Sequence, residues 1–460
     1  MPLPISAELL ARYDSVGPRY TSYPTAVDFH EGYGHADYQR SLALANARGD
    51  SPLSIYTHIP FCMHRCSFCG CHTFATEKTE VTGPYLRHLL IEIDRVAEHL
   101  PNRRKVAQYH LGGGTPTYFT PAELRTLVEH FGKRFQFLPG AELAIEVDPR
   151  VTSRDHIATL AGLGFNRISL GVQDFDPKVQ EAIGRIQPLE RTENMVTWAR
   201  EYRFGGINFD LIYGLPHQTP DSFTETLRQT LALRPDRVAV YSFAYLPKQR
   251  GHQKRIHLAM LPNRTDKFAL LAKARDAFQE AGYQAIGMDH FALPTDELAI
   301  AQRKGRLQRN FMGYTVMAGE DMIGFGTSAI GDVQGAMVQV EKKLAGYYRM
   351  LDEGKLPIAR GYERTKDDQI RREVIHSLMC NFVVRRQAIE TRFGITFDDY
   401  LAESLAMLKP YIDDGMARID AEGVHAIAHG QVFVRNLAMC FDAHLAPKLA
   451  AKEQVFSRTV

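Results

Sequence analysis

The chain has 460 residues, 45% of them hydrophobic and 23% charged, and a formal net charge of +2. That length exceeds what one hydrophobic core serves, so a large domain and a smaller one are expected, and the small net charge gives no electrostatic case for a nucleic-acid or membrane partner. "MPLPISAELLARYDS" holds no apolar run long enough for a secretory signal, no stretch approaches a membrane span, and six cysteines in such a chain make no disulfide framework, so a cytoplasmic location is expected.

From about residue 50 to 245, short β-rich runs alternate with helical runs. The strands expected are 53–60, 106–113, 142–149, 166–173, 207–214 and 237–245. Between the first two, Leu86, Leu89, Leu90, Ile93, Val96 and Leu100 share one helix face. "TPAEL" starts another helix, with Thr120 as cap, Pro121 in the first turn and Glu123 completing a capping box, and Thr219-Pro220 starts a third in the same way. Strand–helix alternation at this spacing predicts βαβ units and a parallel sheet, here an open or partial (β/α)6 barrel. Residues 246–365 read as mixed α/β with extra strands and Gly-rich connections such as "FGTSAIG" (325–331). The expected division is an N-terminal segment (1–46) covering the active site, a catalytic domain (47–365, core about 50–280) and a small, mainly helical C-terminal domain (366–460). The last resembles a winged helix, with a hairpin turning at Glu422-Gly423 and a final helix over 430–446. Without a basic stripe it reads as a structural module.

The unusual residues fall at strand ends. "HIPFCMHRCSFCGC" (58–71) follows the first strand and "GGGTPT" (112–117) the second; Glu146 and Asp148 end the third, Gln173 and Asp174 the fourth, Asp210 lies in the fifth and "SFAY" (242–245) ends the sixth. In a parallel β/α barrel the carboxyl ends of the strands share one face, so these residues are expected around one mouth. Asp148 before Pro149 also suits plain turn chemistry, and Glu146 and Asp210 suit either ribose hydroxyls or strand-end capping.

Four of the six cysteines lie between positions 62 and 71, while Cys380 and Cys440 stand alone as expected buried thiols. A structural zinc site uses two separated C-x2-C pairs, and a redox C-x-x-C leaves Cys62 unexplained. C-x3-C-x2-C can place Cys62, Cys66 and Cys69 on three corners of a cubic iron–sulfur cluster, leaving one iron open. In extended chain, the two-residue step from Cys69 to Cys71 turns the fourth thiol away.

This loop resembles the signature of the radical S-adenosylmethionine (SAM) superfamily. The similarity extends over "GPRYTSYPTA" (17–26), "EVDPR" (146–150), "GVQDF" (171–175), "NFDLIYGLP" (208–216), "GMDHFA" (287–292) and "RNFMGYT" (309–315). Together they resemble the oxygen-independent coproporphyrinogen III dehydrogenases. That resemblance implies a [4Fe-4S] cluster on Cys62, Cys66 and Cys69, a monomer with two SAM molecules, and a low-potential electron donor. The implied reaction is oxidative decarboxylation of two propionates of coproporphyrinogen III to vinyls by a 5′-deoxyadenosyl radical. It places Tyr56, Gly113, Glu146 and Ile330 on the first SAM. Phe68, Gly114, Thr115, Gln173, Arg185, Asp210 and Ala244 fall on the second. Cys71 gains a catalytic role from the resemblance, and Arg19 is the first candidate for holding a substrate carboxylate, ahead of the basic run 302–310. Where the family has "NFQGY", this chain has Met312, so a polar contact at the second SAM is expected to be missing. Two other readings are a related haem chaperone and a DNA-binding iron–sulfur sensor. The first usually lacks "RYTSYP" and the position of Cys71, and near-neutral charge opposes the second.

Overall fold

The computed structural model describes residues 6–317, 319–450, 456 and 458. Six parallel strands form in the expected places: β1 (Leu53–Ile59), β2 (Lys105–Gly113), β3 (Gln136–Val147), β4 (Arg167–Gln173), β5 (Gly206–Tyr213) and β6 (Arg237–Ser242). β1 and β2 are almost continuously buried, as strands covered on both faces must be. The crossover helices run over Thr82–Glu98, Pro121–Arg134, Arg154–Gly162, Leu189–Glu201 and Pro220–Leu233. Thr120 caps its helix as expected: its hydroxyl accepts the Glu123 N–H, and the Glu123 carboxylate accepts the Thr120 N–H at 2.8 Å. Thr219 does the same with Ser222.

The extra strands extend both edges. β8 (His290–Ala292) adds antiparallel to β6, and β7 (Gln284–Ile286) antiparallel to β8; β9 (Asp321–Phe325) lies parallel to β1, and β10 (Ile330–Val333), β11 (Ala336–Val340) and β12 (Ile358–Glu363) follow antiparallel. The full order is β12-β11-β10-β9-β1-β2-β3-β4-β5-β6-β8-β7, so the parallel run has a seventh strand drawn from distant sequence. Register pairs Ile55 with Ile323 and Tyr56 with His110.

Past Lys366 the chain is mainly helical and carries a three-stranded sheet of β13 (Val383–Arg385), β14 (Ala417–Ile419) and β15 (Gly423–Ala426), in the order β13-β15-β14. The hairpin turns at Glu422-Gly423 as expected. The single helix expected over 430–446 does not form. Helices at Val434–Met439 and Leu445–Ala450 are separated at Asp442. There the Asp442 carboxylate accepts from the Tyr20 hydroxyl and the His444 N–H, and the Ala443 N–H donates to the Tyr23 hydroxyl. Bonds to the N-terminal segment replace the helical ones. Tyr20 and Tyr23 belong to the apolar core of this C-terminal part, and Cys380 and Cys440 are buried. No helix among the described residues is long and apolar enough to cross a membrane.

Candidate active site

The loop after β1 has little regular structure, so other segments must hold it. A two-residue parallel ladder joins Phe61–Cys62 to Phe74–Ala75. The Ser67 N–H donates to the Ile183 carbonyl at 2.8 Å, His252 Nε2 to the Cys69 carbonyl at 2.7 Å and Gln253 Nε2 to the Phe68 carbonyl at 3.1 Å. Cys62, Cys66 and Cys69 thereby line one cavity of about 160 Å³. Burial pushes the Cys62 thiol up to about 11, while the Thr115 hydroxyl lies 3.5 Å from its sulfur. Arg150 and Arg185 donate to the Cys66 sulfur at 3.6 and 3.8 Å. Both also grip Asp148. Burial alone would raise its carboxyl; the two guanidinium groups instead hold it down at about 2.

Cys71 departs from its expected orientation. The chain bends here, so the Cys71 N–H donates to the Cys69 sulfur at 3.4 Å. Bonding from the Cys71 thiol and this N–H draws Cys69 down to about 6 and pushes Cys71 up. Cys71 is exposed and lines both the cysteine cavity and a larger neighbour of about 760 Å³.

Gly113 and Glu146 share that dividing wall. Gly113 has φ +121, and a Cβ there would lie 2.8 Å from the His58 ring. At Gly114 a Cβ would lie 2.7 Å from the Phe61 carbonyl oxygen. The glycines let β2 pass under the chain entering the cysteine loop, and the N–H groups of Gly114 and Thr115 bond Ile59 and Phe61 carbonyls rather than standing free for a ligand. Glu146 accepts from His110 Nε2 at 3.1 Å and the Gly113 N–H at 3.2 Å, which keep its carboxyl low against the opposing effect of burial. Asp210 is pushed up to about 6, first by burial and then by Glu146. Its bonds come from Ser169 and Asn208. Gln173 sits at φ 69, a strained setting for a residue with a side chain, and lines the cysteine cavity beside Arg185.

The larger cavity is bordered by Tyr56, His58, His72, Ala244, Met312 and Ile330, and roofed by residues 17–21 and 25–27. The Tyr56 hydroxyl donates to His58 Nδ1 at 3.0 Å, and His58 Nε2 donates to the His72 carbonyl. Burial lowers His58 to about 4, so its ring is the neutral form. Arg19 lines this cavity, donates to the Ser242 carbonyl at 2.9 Å and lies over the Tyr241 ring. The basic run does not reach it. Arg303 bonds Gln284 and the Pro294 carbonyl at the surface, and Arg309 donates to the carbonyls of Arg19 and Tyr20. Arg435 holds the Pro18 carbonyl at 3.0 Å from the C-terminal side.

The cysteines and the residues expected to hold SAM, with Arg19, thus line one of two adjoining cavities. Phe68, Gly114, Thr115, Gln173, Arg185 and Asp210 lie with the cysteines; Tyr56, Ala244, Ile330 and Arg19 lie in the larger cavity. Asp174 points elsewhere, bonded to Gln218, Thr226 and the Asp176 N–H. Glu92 was missed. It is buried among the leucines of its helix and accepts from the Gly326 N–H and the Tyr347 hydroxyl, fixing the turn between β9 and β10. A polar position on an otherwise apolar helix face was the available signal.

The donor set fits an iron–sulfur cluster. Among the described residues no three His, Cys, Asp or Glu side chains converge tightly enough for a single ion. Three thiols spread around one cavity instead suit a polynuclear cluster, whose ligands attach to different irons. Arg185 Nε is buried at this cavity without a partner, a donor left for a bound ligand.

Comparison with known proteins agrees with this architecture. A family model described as the radical SAM superfamily matches residues 56–230, and one described as the HemN C-terminal domain matches 365–433. The chain is 44% identical to an oxygen-independent coproporphyrinogen III oxidase of Pseudomonas aeruginosa, covering 99% of this chain and 98% of that protein. It is 43% identical to the Escherichia coli K12 protein of the same name, covering 98% of each. The solved coproporphyrinogen III oxidase of Escherichia coli superposes with a TM-score of 0.91 at 42% identity, covering 96% of this chain and 100% of that one. With the fold, the thiol-lined cavity and full-length identity in agreement, the chain belongs to the oxygen-independent coproporphyrinogen III oxidase family of radical SAM enzymes.

Proposed function

We propose that this protein converts coproporphyrinogen III to protoporphyrinogen IX without oxygen, by oxidative decarboxylation of two propionate side chains. Each propionate gives up one hydrogen atom, one CO₂ and one electron and becomes a vinyl group. The observation that carries the reading is the pair of adjoining cavities, one lined by the three cysteines and one large enough for a ligand, with Cys71, Gly113 and Glu146 between them.

Family membership implies a [4Fe-4S] cluster and SAM, which together supply the deoxyadenosyl radical. Cys62, Cys66 and Cys69 would hold the cluster. Phe68, Gln173, Arg185 and Asp210, in the cysteine cavity, would hold the SAM that meets it; Arg185 offers its unpartnered Nε and Asp210 its carboxylate. Tyr56, Gly113, Glu146 and Ile330, the residues expected on the first SAM, would hold the other SAM molecule across the wall. Arg19 would fix a substrate carboxylate beneath residues 17–27, which also restrict water. Cys71 sits where the two cavities meet and would face both ligands.

The test is anaerobic reconstitution followed by incubation with SAM, a low-potential reductant and coproporphyrinogen III. Protoporphyrinogen IX, CO₂ and 5′-deoxyadenosine are the expected products. Stable haem binding with none of these products would overturn the reading.

A further inference from the structure

The walls of the larger cavity carry unbalanced charge. Three cations line it, Arg19, Arg250 and Lys342, against one carboxylate, Glu146, which His110 and the Gly113 N–H already engage. The Arg250 guanidinium and the Lys342 ammonium have no hydrogen bond or ion pair among the described residues; only the backbone of these two residues is bonded. The charges around Lys342 are Arg360, Arg250 and Glu341, two cations and one acid, and a Glu341 oxygen is taken by the Lys343 N–H. An unpaired cation group facing a cavity is a site for an anion.

Both cations are built into the wall. Arg250 opens the turn Gly251–Arg255, whose His252 and Gln253 hold the Cys69 and Phe68 carbonyls. Lys342 follows β11, where the Glu341 N–H bonds the Pro357 carbonyl and the Lys342 carbonyl accepts from His72 Nε2 at 2.8 Å. Arg250 and Lys342 both act on His72, next to Cys71. Arg19 is held elsewhere on the wall, by the Ser242 carbonyl and over the Tyr241 ring. The cavity therefore has two separate cationic stations.

We propose that Arg250 and Lys342 together bind one carboxylate of the substrate beside Cys71, while Arg19 binds another. This rests on the tetracarboxylate substrate proposed above. Two anchors would fix both the position and the rotation of a ring bearing several equivalent acid arms, and so decide which arm lies nearest the cysteine cavity. Arginine suits the planar carboxylate and lysine supplies a point charge.

The test measures the affinity of the full chain, with its cluster, for coproporphyrin III, for its tetramethyl ester and for SAM, alongside the KM for coproporphyrinogen III. Losing one charge-assisted bond costs about ten- to hundredfold in affinity. Arg250→Gln and Lys342→Ala should each weaken coproporphyrin III by about that much and raise KM in parallel. Ester affinity, SAM affinity and the cluster spectrum should stay at wild-type values, and Arg250→Lys and Lys342→Arg should recover much of the loss. Unchanged affinity for the tetra-acid, or an equal loss for the ester, would overturn the proposal. A loss confined to SAM would reassign the pair to the SAM carboxylate and overturn it too. A wild-type enzyme that makes no product refutes the proposed reaction itself; wild-type turnover with unaffected variants refutes only this pair.

Discussion

The two cavities that meet at Cys71 handle charge in opposite ways. In the cysteine cavity, Asp148 is shared by Arg150 and Arg185, and both guanidinium groups also lean on the Cys66 sulfur. In the larger cavity, the Arg250 and Lys342 side chains form no ion pair among the described residues. The first is a prearranged frame whose ion pairs are already formed, with the Arg185 Nε left over. The second is complete only when an anion enters. A cofactor retained through many turnovers suits the first, and a polyanionic substrate that must arrive and leave suits the second.

The sharpest way to break this contrast is in the cysteine loop. Serine at Cys62, Cys66 or Cys69 should abolish both the iron–sulfur absorption and turnover. Cys71→Ser should keep the absorption and impair turnover; loss of the cluster there would place Cys71 on the cofactor side of the wall. Next comes Arg19→Ala, for which we expect at least a tenfold drop in kcat/KM with the cluster spectrum intact, since one charge-assisted bond is worth about that much. Unchanged kinetics would leave the larger cavity with one cationic station instead of two. Asp148→Asn should unbalance the frame: removing one partner of a buried ion pair costs about 3–5 kcal/mol, which chemical denaturation would register. A change below about 1 kcal/mol would mean that the Cys66 sulfur alone suffices as counter-charge.

The smallest effect tests the scaffold behind the larger cavity. Burial raises the Glu92 carboxyl to about 7, above its unfolded value of 4.5. The folded chain therefore binds this proton more tightly, and its stabilising contribution, full below pH 4.5, fades as pH rises through 7. Glu92→Gln keeps an acceptor for the Gly326 N–H and the Tyr347 hydroxyl but has no charge to bury. Its Tm should exceed wild type at pH 8 and match it more closely at pH 5. A steeper loss of stability with pH in the variant would refute the assignment.

What could be read from the sequence follows from how local each signal is. The parallel strands were legible because their apolar runs and helix caps are short-range, as at Thr120 and Thr219. The site residues were legible because strand ends converge in a parallel barrel. Three features depend on contacts far along the chain and were not. The break at Asp442 is made by Tyr20 and Tyr23, more than four hundred residues earlier. Gly114 reads as open backbone for a ligand but serves the crossing of residues 60–61. The bend at Cys71 is imposed by a loop pinned through His252 and Gln253, so extended-chain reasoning there misplaced the thiol. The run 302–310 misled for a related reason, since charge density marks solvated loops as readily as binding sites.

The roof over the larger cavity has a consequence for biosynthesis. Residues 17–24 are translated more than four hundred residues before Arg435, Asp442 and Ala443, which hold them. At ribosomal rates the interval is on the order of tens of seconds. During that time the cysteine loop and its barrel can be complete while residues 17–24 still lack these partners. Connectivity therefore lets the thiol-bearing loop form before the roof over the larger cavity gains the bonds that hold it.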